Sequence, residues 1–152
     1  MCPGRNKKNW RRDLQVDFSH VVSVGIQTVM SLVRTDEFIS MGIPDFRDKL
    51  QSLGIESLHF PIVDKWIPSS MDDLIRNTEI MLERIQQGRS ILVHCNGGKG
   101  RTGLIVVCSL VALGMDVNDA VQRIREARPG MIQNPAQLIY AKAFKKMWFQ
   151  KH

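Results

Sequence analysis

The sequence predicts an α/β fold: a three-layer sandwich with a central, mostly parallel sheet of four to five strands flanked by helices. Three observations predict it. Compact β-prone runs at residues 28–33, 57–63 and 90–93 are separated by stretches with helical spacing of apolar residues. The third run is followed by a segment, 101–113, that is apolar nearly all round, a pattern that suits only a helix buried in the middle of a domain. Between the two lies a glycine-rich turn, and sheets of this class bind ligands beyond the carboxyl ends of their strands. With 152 residues, 43% of them hydrophobic, the chain suits a single domain, 1–152, with a proper core.

Residues 1–12 are polar and basic, turn at Pro3-Gly4, and read as an irregular lead-in. Leu14, Phe18, Val21 and Val22 recur at helical spacing from Asp13, and Gly25 stands where a helix should end. Thr28 to Val33 is a buried strand, and Thr35-Asp36-Glu37 begins a short helix. Pro44 announces another helix, Asp45 to Leu53, closed by Gly54. Ser57 to Val63 is the second strand, and its Pro61 points to an edge position or a strand end. Ser69 or Ser70 caps a helix to about Gln87, with Asp72 and Asp73 in its first turn. Ser90 to Val93 is the third strand. After the apolar helix, Asp116 with Asp119 resembles a capping box for a helix through Ala127. Arg128-Pro129-Gly130 breaks it, and a last helix runs from Pro135 to about Phe149.

The formal net charge of +6 favours anionic partners without choosing among them. It is concentrated at 5–12 and 142–151, each of which reads as a solvated basic face. The three cysteines, Cys2, Cys95 and Cys108, match no disulfide framework or zinc pattern. No signal peptide and no apolar run long enough for a membrane span are visible. The chain is therefore expected to be cytosolic or nuclear, with reduced thiols.

The chemistry concentrates in Ile91 to Thr102, ILVHCNGGKGRT. The glycines free the backbone of Asn96-Gly97-Gly98-Lys99-Gly100 to turn its N–H groups inward, and the helix that follows adds unpaired N–H groups and a positive dipole end. Such a loop is an anion cradle. Cys95 at its entry, close to a helix N-terminus and to Arg101, is expected to be a nucleophilic thiolate rather than an inert core thiol. Arg101 stands at the dipole's unfavourable end, a placement that makes sense if an anion is bound there, and its guanidinium can hold a phosphate through two parallel bonds. The Thr102 hydroxyl can reach back to the sulfur, although the same residue would serve as an ordinary helix cap. His94 is expected to orient the loop by hydrogen bonds. Phosphoryl transfer to a thiolate also needs a proton donor. Among Asp45, Asp48, Glu56, Asp64, Asp72 and Asp73, only Asp64 follows a strand directly and opens a loop, which brings it to the same sheet edge as Cys95.

His94-Cys95-x5-Arg101-Thr102, with Asp64 upstream, resembles the signature of cysteine-dependent protein-tyrosine and dual-specificity phosphatases. Pro3-Gly4, Arg11-Arg12-Asp13-Leu14, Gly25-Ile26-Gln27, Leu53-Gly54-Ile55, Pro61-Ile62-Val63-Asp64 and Ile132-Gln133 extend the resemblance to the kinase-associated phosphatase (cyclin-dependent kinase inhibitor 3) group. The resemblance implies hydrolysis of phosphotyrosine and phosphoserine or phosphothreonine in proteins through a cysteinyl-phosphate. Cys95 would be the nucleophile, Asp64 the general acid and then base, and Thr102 the residue assisting the sulfur. Asn96, Gly97, Gly98, Lys99, Gly100 and Arg101 would bind the phosphate, and His94 would orient the loop. No cofactor or metal is implied. Gln133 or Gln137 is a candidate for placing the hydrolytic water. A phosphorylated protein is the expected partner, with a kinase complex in view; nucleic acid is not, and a monomer is expected. The chain lacks the Lys-Asn-Arg-Tyr loop that deepens the pocket of large tyrosine phosphatases, and its one tyrosine is Tyr140, so a shallower pocket is expected. Lys99 occupies a loop position at which lipid phosphatases of the phosphatase-and-tensin type also carry lysine. A phosphoinositide or RNA 5′-phosphate is therefore the alternative substrate class.

Overall fold

The computed structural model describes residues 1–7 and 9–152. Lys8, part of the predicted basic lead-in, lies outside them. Three parallel strands form the sheet, in the order β4 (Glu56–His59), β3 (Thr28–Ser31), β5 (Ile91–His94). Thr28 faces Glu56 on one side and Ile91 on the other, and Ser31 faces His59 and His94. The predicted mostly parallel sheet is present, but among the described residues it has three strands and not four to five. Two further strands, β1 (Asn6–Lys7) and β2 (Trp10–Arg11), pair antiparallel with each other instead. They also correct the reading of residues 1–12 as irregular. Gly4 turns the chain at φ 69 and donates its N–H to Asp17 at 2.7 Å, and Arg12 N–H closes the ribbon on the Arg5 carbonyl at 3.2 Å.

β3 is buried at all four positions, as the middle strand of a covered sheet must be. β4 is an edge strand, as Pro61 required, and its regular part ends at His59. The pairing continues past it, with Phe60 N–H on the Ser31 carbonyl and Ile62 N–H on the Leu32 carbonyl, both at 3.0 Å. Proline sits between these two donors, where no ladder bond is needed. The chain therefore follows β3 to its carboxyl end and delivers Asp64 there.

Seven helices are present among the described residues: α1 (Leu14–Ser23), α2 (Thr35–Ser40), α3 (Phe46–Ser52), α4 (Met71–Gln86), α5 (Gly100–Ala112), α6 (Val117–Ala127) and α7 (Pro135–Lys151). Side-chain caps fix four of the starts: Asp13 accepts from Val16 N–H, Ser70 from Asp73 N–H, Asp116 from Asn118 N–H and Asn134 from Gln137 N–H. α5 is the hub, packed against β5, α4, α6 and α7. Leu104, Val107, Cys108 and Val111 have no exposed surface, which is why the segment could be apolar all round. The first three helices meet through phenyl rings. Phe46 of α3 lies 5.0 Å from Phe18 of α1 and 4.9 Å from Phe38 of α2, centroid to centroid, and 5.0 Å from the His94 ring at the end of β5. No helix among the described residues is long and apolar enough to cross a membrane.

Phe46 is fully buried at the meeting point of three helices and the sheet. Phe46→Ala is expected to lower unfolding stability by about 3–5 kcal/mol in urea titrations, against under about 1.5 kcal/mol for a well-tolerated hydrophobic swap.

Candidate active site

The strand–loop–helix stretch folds as a cradle at the carboxyl end of β5. The Cys95 sulfur accepts hydrogen bonds from the Gly98 N–H at 3.2 Å and from the Thr102 hydroxyl at 3.1 Å. The glycines serve different needs. Gly98 takes positive φ, 72°, and so aims its N–H back at the sulfur. Gly100 needs room, since a Cβ there would lie 2.5 Å from Gln133 Oε1 and 2.9 Å from Gln137 Nε2. Gly97 needs neither. Lys99 is the N-cap of α5 and makes no side-chain capping bond, so no side-chain cap covers the helix's first-turn N–H groups, which are available to an anion.

Arg101 has 1% of its surface exposed and is the largest fully buried side chain. Its guanidinium donates bidentately to Glu37 at 2.7 and 2.8 Å, to the carbonyls of Ile62 at 2.8 Å and Leu32 at 3.4 Å, and to Asp64 Oδ1 at 2.9 Å. Burial would raise the Glu37 carboxyl, but the bonds from Arg101 and from the Arg34 N–H hold it below the usual range. Burial opposes the charge on Arg101, and Glu37 more than restores it, keeping the guanidinium above its ordinary value. Asp64, on the loop after β4, is half exposed and reaches this guanidinium, while Cys95 follows β5 at the same carboxyl end of the sheet. Four of the five other carboxylates considered in sequence are engaged elsewhere, Asp45 with Lys49, Glu56 with Arg84, Asp72 with Lys151 and Asp73 with Arg76, and Asp48 lies in the first turn of α3.

His94 is buried under the loop, and its Nε2 meets the Ser31 hydroxyl at 2.7 Å, across the parallel β3–β5 pair. Desolvation pushes its pKa down to about 3, so the ring is neutral. Asn96 contributes its carbonyl, which accepts from the Cys2 N–H at 3.0 Å. Arg128 reaches the rim of the cradle and donates to the Gly97 carbonyl at 3.0 Å. The Lys99 side chain lies along the neighbouring turn, where a Cβ on Gly130 would be 3.5 Å from its Nζ.

The family model of cyclin-dependent kinase inhibitor 3 (CDKN3) matches residues 1–123. The chain belongs to this family. It is 33% identical over 148 residues to cyclin-dependent kinase inhibitor 3 of Sus scrofa, covering 94% of this chain and 68% of that protein. A crystal structure of a kinase-associated phosphatase, with its catalytic-site cysteine substituted by serine, superposes with a TM-score of 0.92 at 28% identity, covering 97% of this chain and 84% of that one. Tk-PTP in its active form gives a TM-score of 0.74 at 30% identity, covering 82% of each chain. The fold is that of dual-specificity phosphatases, and the family is one of phosphatases.

Within that family setting, geometry separates the three cysteines. Burial pushes the Cys2 thiol up to about 12 and the Cys108 thiol up as well. Only Cys95 has hydrogen-bond donors aimed at its sulfur among the described residues. Two participants were not legible in the sequence. Glu37 read as an ordinary first-turn acid of α2. The signal available was that α2 begins directly after the middle strand, at the cradle's end of the sheet. Arg128 read only as part of a helix-breaking tripeptide.

Because unfolding lets His94 take up a proton that the folded ring refuses, stability is full above pH 6.5 and falls as pH drops below it, until the folded pKa near 3 is reached. Between pH 7.0 and 5.5 His94 is expected to cost about 1 kcal/mol of unfolding free energy, and His94→Gln should remove that part of the pH dependence in paired urea titrations.

Proposed function

We propose that the chain is a protein phosphatase that hydrolyses phosphotyrosine and phosphoserine or phosphothreonine through a cysteinyl-phosphate on Cys95. The observation that carries this reading is the sulfur itself. It lies at the start of α5, which no side chain caps, receives two donors, and shares its end of the sheet with Asp64, whose carboxyl is held on Arg101. A phosphate seated on the N–H groups of 96–101 and on Arg101 would present phosphorus to Cys95. The sulfur attacks phosphorus as the P–O bond to the substrate breaks, and Asp64 gives its proton to the departing oxygen. Water then attacks the cysteinyl-phosphate, Asp64 takes its proton, and phosphate and the Cys95 thiolate are released. Thr102 stabilises the sulfur as it leaves. Glu37 fixes the plane of the Arg101 guanidinium, and the phosphate oxygens compete with Asp64 for its NH2 group, which frees the carboxyl for proton transfer.

Gln133 suits the water-placing role better than Gln137. Gln137 is fully buried, with its amide oxygen on Gln133 N–H and its nitrogen on the Trp66 carbonyl, whereas the exposed Gln133 side chain borders Gly100. Lys99 gives the inositide reading no support from geometry, since its side chain follows the Gly130 turn. The kinase-associated relatives make a phosphorylated kinase complex the first class of protein substrate to test.

Cys95→Ser is expected to lower turnover of an aryl phosphate by at least roughly 10³-fold, and a rate near wild type would remove Cys95 from the mechanism. Asp64→Asn is expected to lower kcat by roughly 10²-fold for alkyl or phenyl esters, with a smaller loss for esters with acidic leaving groups. Phosphate release from a panel of phosphotyrosine, phosphothreonine and inositide substrates checks the substrate class.

A further inference from the structure

The segment that carries Asp64 is held from outside its own strand. After Ile62 the chain parts from β3, and Lys65 takes left-handed backbone at φ 60. A residue with a full side chain adopts that conformation only where its surroundings impose it. The imposing contacts come from the start of α7. Asn134 Nδ2 donates to the Lys65 carbonyl at 2.7 Å, and Gln137 Nε2 donates to the Trp66 carbonyl at 3.3 Å. Asn134 is fixed in turn, because its Oδ1 caps α7 by accepting Gln137 N–H at 3.0 Å. The ordinary reading of Asn134 is a helix cap and nothing more. Capping uses only the oxygen, which serine or aspartate would supply equally well. The amide nitrogen is the additional feature, and it is spent on the acid loop.

The anchor is also tied to the cradle. Ile132 N–H donates to the Lys99 carbonyl at 3.3 Å, and the side chains of Gln133 and Gln137 border Gly100. The Asp64 carboxyl, by contrast, is held among the described residues only by Arg101, the group a substrate phosphate would claim. Once that phosphate binds, the backbone alone decides where the acid stands.

We propose that Asn134 is a positioning residue for the general acid: its side-chain amide clamps the loop 64–66 to the base of the cradle, so that Asp64 stays over the leaving group during proton transfer. The inference rests on the role of Asp64 proposed above. A clamp that acts through the acid has a signature that a structural role lacks, namely a rate loss that depends on the leaving group.

The test uses Asn134→Asp, which keeps the capping oxygen and loses the donor, and Asn134→Ser, which caps but is too short to reach Lys65. Both are expected to melt within about 2 °C of wild type. Their kcat is expected to fall about 3-fold for a fluorinated umbelliferyl phosphate and about 30-fold for phenyl phosphate, with KM nearly unchanged. Backbone amides of 64–67 should exchange hydrogen faster. In an Asp64→Asn background, adding Asn134→Asp should cost no further rate, since the acid is already gone. Equal losses for all leaving groups, full additivity with Asp64→Asn, or unchanged exchange at 64–67 would overturn the clamp. If Asp64→Asn alone shows no leaving-group dependence, the general-acid reading falls, and the clamp with it; that result appears without any Asn134 variant.

Discussion

The ion pair between Arg101 and Glu37 is the contact on which the arrangement at the sheet's carboxyl end depends. A guanidinium with 1% exposure is costly to bury unless its charge and its N–H groups are all answered. Here one carboxylate answers the charge bidentately, the Leu32 and Ile62 carbonyls just past β3 and β4 take further bonds, and Asp64 takes one more. That single side chain therefore ties together α5, which carries the cradle, α2, which carries Glu37, and the chain just past β3 and β4, the second of which leads to Asp64. Removing either partner leaves an uncompensated buried charge. The pair is thus a structural commitment before it is a binding device.

The remainder of the site is held by packing of a different kind. α5 has nearly all its surface against other elements, so the helix that starts at the cradle cannot shift without disturbing α4, α6 and α7 together. Beneath the loop, His94 bonds to Ser31 in the middle strand while its ring rests on Phe46. The cradle consequently has a packed floor, and the wall opposite it is the exposed segment around Asp64, held by the bonds from Asn134 and Gln137.

Much of this was legible in the sequence, and the reasons are local. Apolar spacing and capping residues placed α1 through α7 within a residue or two, because helices report their own period and their own ends. The cradle was legible because its glycines, its cysteine and its arginine are contiguous. Asp64 was legible because strand ends gather at one edge of a parallel sheet. Glu37 was not, since a first-turn acid has the same appearance whether it faces solvent or a buried arginine sixty-four residues away. The ribbon of β1 and β2 escaped for a related reason: strands of two residues carry no periodicity. The sheet has three strands among the described residues and not four to five, and these are the three runs that read as strands in the sequence.

The contact between Phe46 and the His94 ring has a bearing on cooperativity. Through Phe18, Phe46 and Phe38, the aromatic cluster of the first three helices ends on the residue immediately before Cys95. The floor of the cradle is therefore made of the same packed rings that hold the domain together, and not of a surface loop with its own low-energy opening. Chemical competence of the thiol and integrity of the fold are one thermodynamic unit on that side of the site.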